Sequence, residues 1–338
     1  MHVLITNDDG PPNQETSPYI HYFIDAIKKH TDWEISIALP NTQRSWIGKA
    51  HMIGQSLTAS YIYPGEIGKP YEGPFYKQVK SPEHEEWTLL DGTPASCANV
   101  GINHLFKDKG PVDLVLSGPN YGRNSTALYI MSSGTIGAAM EGALCGVKSI
   151  GLSYAYNDRV HVPKQIESAS EISVKLIKHL YENWDSEAQL YSINVPLKDD
   201  HSATKIFYTH ILENTWGANF EPWEDYELRQ KGKNEIESDL EDELAAVATV
   251  GEQQGHQPHN EGEKPKNLLP TYELNSQGLK RDKRLTQFKW SPDFSAVRNS
   301  VKGSEEGNDG LVVDQGNISV TPLRACFKDI PIKKEIKI

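Results

Sequence analysis

Apolar and polar positions succeed one another along the first 200 residues as short continuous runs and longer spaced runs. The short runs are rich in β-branched residues, which is typical of strands buried on both faces. In the longer runs the apolar residues recur three and four positions apart, which predicts helices. Strands are predicted at 3–5, 33–39, 112–116, 149–153 and 190–195, and helices at 17–30, 95–106, 137–144 and 166–181.

This alternation predicts an α/β fold in which helices flank a Rossmann-like, mostly parallel sheet. The alternation of strands and helices ends near residue 200. It therefore divides the chain into a core at 1–200 and a C-terminal region at 201–338 that completes the fold. Two C-terminal segments, 207–212 and 317–323, are extended and apolar. Residues 231–266 are charged and poor in large apolar side chains, which predicts a disordered acidic insertion.

Charge and cysteine content narrow the class of protein. The net charge of −12 at pH 7 argues against nucleic-acid binding, because phosphate backbones attract Lys and Arg. The three cysteines are widely spaced, which predicts neither a zinc site nor a disulfide framework. Neither a basic, apolar leader nor an apolar run of bilayer length is present in the sequence. We therefore expect a cytoplasmic protein without membrane association.

An acidic turn follows the first predicted strand, where Asp8 and Asp9 are adjacent. Ligands of open α/β sheets bind beyond the carboxyl ends of the strands, so this turn lies where a site is expected. Two neighbouring carboxylates repel each other unless a cation lies between them, and Mg²⁺ or Mn²⁺ prefers such oxygen ligands. The alternative is an ordinary tight turn, since Asn, Asp and Gly all favour turns.

Polar loops also follow other predicted strands and would meet at the same edge of the sheet. The loop at 40–49 carries Arg44, Ser45 and Lys49, and the loop at 117–124 carries glycines and amide side chains. Residues 132–135 open a helix, so their N–H groups and hydroxyls are available to an anion. Alternatively, the basic side chains are solvated and Ser133 is only a helix cap. Cation ligands beside anion donors suit a phosphate ester.

These motifs resemble the SurE family of metal-dependent 5′/3′-nucleotidases and acid phosphatases. They occur in order along nearly the whole chain apart from the acidic insertion, and the Gly-Pro-Pro after the acidic pair resembles fungal members, as does Ser45-Trp-Ile-Gly-Lys. The matching elements are Thr-Asn-Asp-Asp-Gly at 6–10, Gln-Arg-Ser at 43–45, Asp-Gly-Thr-Pro-Ala at 91–95, Ser-Gly-Pro-Asn-Tyr-Gly-Arg-Asn at 117–124, Ser-Gly-Thr-Ile-Gly-Ala-Ala-Met-Glu-Gly at 133–142 and Ser-Val-Thr-Pro-Leu at 319–323.

The resemblance implies a phosphomonoesterase that uses Mg²⁺ or Mn²⁺ and acts on nucleoside monophosphates and other phosphate esters. It also implies a homodimer or higher homo-oligomer, in which an extended or β-hairpin C-terminal oligomerisation region reaches a second subunit. The implied metal ligands are Asp8, Asp9, Ser45 and Asn120. The implied phosphate-binding residues are Asn124, Ser133, Gly134 and Thr135, and the implied catalytic residues are Asp8, Asn124 and Ser133. The stretch before Ser133 is one residue longer than in bacterial members, so Ser132 could take its place.

Three competing interpretations use the same residues differently. One is a nucleotide- or phosphate-binding module without turnover. Another is a dinucleotide-dependent oxidoreductase, but the first strand-to-helix turn lacks the Gly-x-Gly-x-x-Gly motif. A third is suggested by Leu-Leu-Asp91-Gly-Thr-Pro, which resembles the opening of haloacid-dehalogenase phosphatases. That family needs a second aspartate at position 89, which is Leu here, so we expect a structural or substrate-side role for 91–95.

Overall fold

The computed structural model describes residues 1–79, 85–156, 160–232, 272–274, 280–282 and 286–328. Apart from residues 231 and 232, the predicted acidic insertion lies outside the described residues. Two compact units are formed, one by Met1–Asn214 with Ser300–Ile338 and the other by Thr215–Asn299. In the described part of the chain, no helix combines the length and the apolar character needed to span a membrane.

Strands and helices alternate in much of the first unit, as the sequence pattern predicts, and both units contain further short strands. The strands are β1 (His2–Thr6), β2 (Glu34–Pro40), β3 (Ala59–Tyr63), β4 (Glu72–Phe75), β5 (Trp87–Leu90), β6 (Leu114–Tyr121), β7 (Lys148–Ala155), β8 (Leu190–Pro196), β9 (Ile206–Tyr208), β10 (Phe220–Pro222), β11 (Tyr272–Leu274), β12 (Lys280–Asp282), β13 (Phe288–Trp290) and β14 (Ile318–Leu323). The helices are α1 (Ile20–His30), α2 (Pro94–Val100), α3 (Thr126–Ser132), α4 (Gly134–Leu144), α5 (Pro163–Glu182), α6 (Trp223–Gly232), α7 (Ser295–Lys302) and α8 (Asp309–Asp314).

A mixed sheet with parallel central strands forms the first unit. Among the described residues its ten strands follow the order β4-β3-β5-β2-β1-β6-β7-β8-β14-β9. β1 pairs in parallel with both β2 and β6, so the carboxyl ends of these three strands meet at one edge. The second unit contains two short antiparallel pairs, β10 with β13 and β11 with β12. The predicted Rossmann-like α/β fold is confirmed.

Both faces of the sheet are buried, which explains why its strands are continuous apolar runs. Val3 and Ile5 of β1 belong to a core cluster with Phe23 of α1 and Ile177 of α5. Leu4 points to the other face and belongs to a cluster with Cys97 of α2. Because successive side chains of a strand point to opposite faces, a strand covered on both sides needs apolar residues at every position.

The structure differs from the sequence predictions in two element boundaries and in the location of one segment. β6 continues through 117–121, which the sequence presents as a loop because of its Gly-Pro pair. Beyond a register shift this segment pairs with β7, where Asn120 is opposite Ser153. The predicted helix at 95–106 ends at Val100 and continues as a π-helical turn, Gly101–Leu105. The predicted extended segment at 317–323 forms β14 inside the main sheet, antiparallel to β8 and parallel to β9.

Candidate active site

The acidic turn after β1 is held rigidly by its own side chains. The Gly10 N–H donates to Asn7 Oδ1 at 3.0 Å, and Asn7 Nδ2 donates to the Gly10 carbonyl at 2.9 Å. Gly10 has φ of +83°, a conformation that favours glycine. Asp8 and Asp9 follow Asn7 and are each only 2% exposed. The turn therefore presents two carboxylates in a fixed, buried arrangement.

The amino terminus of α4 is directed at Asp8. The Thr135 hydroxyl donates to Asp8 Oδ1, and the N–H groups of Gly134 and Thr135 also donate to this carboxylate. A Cβ atom on Gly134 would lie only 2.7 Å from the Asp8 Cβ, so only glycine permits this approach. The anion donors that the sequence predicts for phosphate are thus gathered around the first carboxylate.

Asp9 is held from the neighbouring strand and from the loop after β2. The Tyr121 N–H donates to Asp9 Oδ2 at 2.7 Å, and the Gln43 side chain is a second hydrogen-bond donor. Sequence reasoning gave Gln43 no individual role, although it begins the Gln-Arg-Ser motif.

The hydrogen-bond donors that the structure shows around the carboxyl pair offer no positive charge to balance its ionisation. Burial raises the pKa of Asp8 to about 6, against the opposing effect of the Thr135 hydrogen bond. Burial and then the charge of Asp8 raise the pKa of Asp9 well above its usual value. The donors to both carboxylates are neutral hydroxyl and amide groups. Two buried carboxyl groups with neutral partners ionise more readily beside a cation, so the pair is electrostatically suited to one.

Asn120 contributes an amide oxygen to the same place. Its Nδ2 donates to the Gly122 carbonyl at 2.7 Å, which turns Oδ1 away from that carbonyl. Thr135 Oγ1 lies 3.3 Å from this Oδ1 while it donates to Asp8. One hydroxyl therefore joins two of the predicted metal ligands.

Ser45 lies on the loop that packs against the acidic turn. The preceding Arg44 donates its N–H to the Asp8 carbonyl at 2.6 Å. The Arg44 carbonyl oxygen lies 3.1 Å from the position that a Cβ on Gly134 would occupy. Ser45 itself is half-buried. The backbone beside Ser45 is thus held between Asp8 and the start of α4.

The same loop is anchored to α4 by a buried carboxylate. Lys49 Nζ lies 2.8 Å from Glu141 Oε2, His51 Nε2 lies 3.3 Å from it, and Asn99 Nδ2 donates to Oε1 at 2.8 Å. Burial raises the pKa of Glu141, but these partners outweigh it and the net shift is downward. The alternative in which Lys49 is merely solvated is therefore wrong.

The predicted phosphate-binding residues Asn124 and Ser133 are buried and hydrogen-bonded within the protein. The Asn124 N–H donates to Asn194 Oδ1 at 2.7 Å, and its Nδ2 donates to Ser153 Oγ at 2.9 Å. Ser133 Oγ accepts from the Ile136 N–H at 3.1 Å and so forms the N-cap of α4. Ser132 instead donates to the Leu128 carbonyl at 2.8 Å, back along α3.

The segment at 91–95 supports neighbouring backbone. Thr93 caps α2 by accepting from the Ser96 N–H at 3.1 Å, and it donates to the Ala50 carbonyl at 2.6 Å. Asp91 is exposed and accepts from the Thr58 N–H at 2.6 Å. These contacts agree with the structural role expected for the segment.

The donor set at this edge combines two carboxylates, one amide oxygen and a nearby hydroxyl. No group of three or more His, Cys, Asp or Glu side chains suited to a metal occurs among the residues that the structure describes. Such groups are typical of zinc and iron sites, whereas mixed carboxylate, amide and hydroxyl oxygens suit Mg²⁺ and Mn²⁺. The residues present thus fit a hard divalent cation.

A family model described as "Survival protein SurE" matches residues 3–218. The chain belongs to the SurE family. The resemblance inferred from the motifs is therefore confirmed. A crystal structure of the SurE protein from Aquifex aeolicus shares the fold with a TM-score of 0.59 and 19% identity, covering 97% of this chain and 95% of that one.

Curated relatives of this SurE chain carry two kinds of name. A Saccharomyces cerevisiae protein named "Probable tubulin--tyrosine ligase PBY1" is 38% identical over 98% of this chain, which spans only 42% of that protein. The protein named "5'-nucleotidase SurE" from Methylobacterium sp. (strain 4-46) is 32% identical over 58% of this chain and 66% of its own length. The one from Methanocaldococcus jannaschii is 31% identical, covering 63% and 76%.

Proposed function

We propose that this chain is a metal-dependent phosphomonoesterase that hydrolyses nucleoside monophosphates and other phosphate monoesters. The observation that carries the proposal is the buried pair Asp8 and Asp9, whose hydrogen-bond donors are neutral and which faces the start of α4. The names of the bacterial and archaeal SurE relatives support the same reaction class. The ligase name belongs to a yeast protein of which this chain spans 42%.

Asp8, Asp9, Asn120 and Ser45 would hold Mg²⁺ or Mn²⁺ through oxygen atoms. When bound, such an ion polarises a phosphoryl oxygen and lowers the pKa of a water molecule. The Thr135 hydroxyl fixes Asp8 relative to Asn120, so the ligands are oriented before the ion arrives.

The chain also supplies positive potential for the substrate. The amino terminus of α4, capped by Ser133, carries partial positive charge from the helix dipole. Asn124, held between Asn194 and Ser153, is the candidate to orient the phosphate. Donors held in place stabilise the phosphoryl oxygens most strongly as charge develops on them in the transition state.

Hydrolysis of p-nitrophenyl phosphate and of adenosine monophosphates with Mn²⁺, Mg²⁺ or EDTA tests the proposal. We expect turnover with a metal ion and none in EDTA. Asp8→Asn should lower kcat/KM by about 10²- to 10³-fold, the usual loss when one charge-stabilising group is removed. Asp91→Asn is the matched control because Asp91 is exposed and an asparagine there still accepts the hydrogen bond from the Thr58 N–H.

Three results would contradict the proposal in different ways. Activity of folded Asp8→Asn within a fewfold of wild type would remove the carboxylate pair from the mechanism. Metal-dependent binding of nucleotides without turnover by the wild type would favour the alternative, a binding module. A loss of activity in Asp91→Asn equal to that in Asp8→Asn would favour the dehalogenase-like interpretation of that segment.

A further inference from the structure

A cluster of aromatic rings lies next to the acidic turn. The ring centroids of Tyr121 and Tyr156 are 4.9 Å apart with 30° between the planes, and the His161 ring is 5.0 Å from that of Tyr121. Tyr19 packs edge-on against Tyr121 with 5.6 Å between centroids. Tyr121 is packed against the core cluster that contains the residues of α1 and α5, so the rings lie on the sheet face opposite α4.

Backbone contacts tie this cluster to the carboxylates. The Tyr121 N–H donates to Asp9 Oδ2 at 2.7 Å. Tyr121 also directly follows Asn120 in the chain, so it is adjacent to two of the candidate metal ligands. Tyr156 is near Asn120: a Cβ on Gly122 would lie 3.6 Å from Tyr156 Cε1 and 3.9 Å from Asn120 Nδ2. Gly122 has φ of +112°, which disfavours any side chain there and lets the Tyr156 ring approach the backbone beside Asn120.

Exposure separates the inner rings of the cluster from the outer ones. Tyr19 and Tyr154 are 1% and 0% exposed and belong to the core. Tyr121, His161 and Tyr156 are only half-buried, and the two tyrosines lie at the carboxyl ends of β6 and β7, where ligands bind. Core packing accounts for the inner pair, whereas the outer rings present apolar surface beside Asp9 and Asn120.

We propose that the Tyr156 ring, backed by the Tyr121 ring that packs against it, forms an aromatic wall that stacks against the nucleobase of a nucleotide whose phosphate lies at Asp8 and Asp9. This inference rests on the proposed function and names the part of the substrate that the chain recognises. Every base has a π face, so stacking discriminates little between bases. The wall therefore predicts a preference for nucleotides over aliphatic phosphate esters, with purines and pyrimidines both accepted.

Isothermal titration of the Mn²⁺-loaded full chain with the non-hydrolysable 5′-phosphonate analogues of AMP, CMP and ribose 5-phosphate tests the wall without turnover. We expect both nucleotide analogues to bind about tenfold more tightly than the ribose 5-phosphate analogue, the change expected for one stacked base. Tyr156→Leu should remove this advantage, and Tyr156→Phe should restore it because the ring is kept. Tyr76→Leu is the control, since Tyr76 is 79% exposed and outside the cluster.

Kinetics then separate a specificity role from a purely structural one. In Tyr156→Leu the ratio of kcat/KM for AMP to that for β-glycerophosphate should fall about tenfold, mostly through KM. An equal loss for both substrates, or equal affinity of wild type for the AMP and ribose 5-phosphate analogues, would overturn the wall. If wild type hydrolyses neither ester but prefers the AMP analogue in titration, the wall stands and the proposed hydrolase activity fails. Should Tyr156→Leu not fold, the wild-type titration alone decides.

Discussion

Asp8 and Asp9 illustrate how a site residue can oppose the stability of its own fold. Both carboxyl groups are buried, and both have raised pKa values because burial disfavours the charged form. Their neutral hydrogen-bond donors only partly offset this effect. Such a conflict is expected at functional sites, where the arrangement is suited to a ligand rather than to the empty protein.

The first prediction is that Asp8→Asn stabilises the metal-free chain. The pKa of Asp8 is about 6 in the folded chain, whereas an unperturbed aspartate has a pKa of about 3.9. A raised folded-state pKa means that ionisation costs stability above pH 6, and that this cost is absent below about pH 4. In EDTA at pH 7.5 the melting temperature of Asp8→Asn should exceed that of wild type by a few degrees, and the difference should vanish near pH 4.

Calorimetry with added Mn²⁺ supplies the complementary measurement. A ligand that binds the folded state but not the unfolded state raises the melting temperature. Mn²⁺ should therefore raise the melting temperature of wild type and leave that of Asp8→Asn nearly unchanged. Asp91→Asn should behave as wild type in both conditions. A lower melting temperature for Asp8→Asn in EDTA at pH 7.5 would show that its carboxylate is stabilising.

At the scale of residues, the sequence predicts which residue types form the candidate site better than it predicts their hydrogen-bond partners. The acidic pair and Asn120 come together as their positions after predicted strands suggest. Ser133 shows the limit, because Ser-Gly-Thr at a helix start suits both a cap and an anion site, and the structure shows the cap. Gln43 had no local signal, since its role depends on the loop packing against Asp9.

At the scale of elements, a hydrogen-bond relay links the C-terminal strand to the candidate site. Ser319 of β14 accepts from Asn194 Nδ2 of β8 at 3.2 Å. Asn194 Oδ1 in turn accepts from the Asn124 N–H at 2.7 Å. All three residues are buried. This relay gives the late Ser-Val-Thr-Pro-Leu motif a physical reason, because it supports the loop that carries Asn124.

The second prediction is that Asn194→Leu disturbs catalysis from a distance. It leaves the buried Asn124 N–H without its acceptor, at a cost of about 1–3 kcal/mol in stability. We expect kcat to fall roughly tenfold, as displaced positioning groups typically cause losses of this order or larger. Thermal melts and kinetics with p-nitrophenyl phosphate measure both effects.

Ser192→Ala is the matched control on the same strand. Ser192 Oγ is buried and has no hydrogen-bond partner among the residues that the structure describes, so its removal should leave stability and kcat nearly unchanged. If Asn194→Leu retains wild-type kcat while its melting temperature falls, the relay serves folding alone and Asn124 does not depend on it.

Periodicity predicts the elements of the parallel sheet but not the irregular parts between them. β1, β7 and β8 occur where apolar runs predict strands, since burial on both faces gives a strong signal. β4 is exposed at every position, so no apolar run marks it. The end of β6 was missed because Gly118 and Pro119 suggest a turn, whereas pairing with β7 resumes after the register shift.

At the scale of the whole molecule, the C-terminal segment returns to the first unit through contacts that no local pattern predicts. Asp309 of α8 is fully buried and accepts from the Thr126 N–H at 2.8 Å and the Leu212 N–H at 3.0 Å. Its sequence context, Asn-Asp-Gly, suggests only a turn. One carboxylate thus joins three distant parts of the chain, including the start of α3 just before α4.

The third prediction concerns assembly, which we propose to be at least a homodimer formed through the edge of the main sheet. β14 is not available for this contact because it is paired within its own chain on both sides. In the part of the chain that the structure describes, β9 ends the strand order, and its Ile206, Phe207 and Tyr208 are 44%, 39% and 64% exposed. An apolar edge strand favours pairing with a second copy, which would satisfy its backbone and bury its side chains.

Light scattering coupled to gel filtration measures this directly. Wild type at micromolar concentration should have at least twice the mass of one chain, and Tyr208→Lys should shift it toward the monomer because a charged edge opposes pairing. Tyr76→Lys, an exposed tyrosine away from β9, should leave the mass unchanged. A monomeric wild type would refute the assembly, whereas a dimer that survives Tyr208→Lys would keep the oligomer and move its interface away from β9.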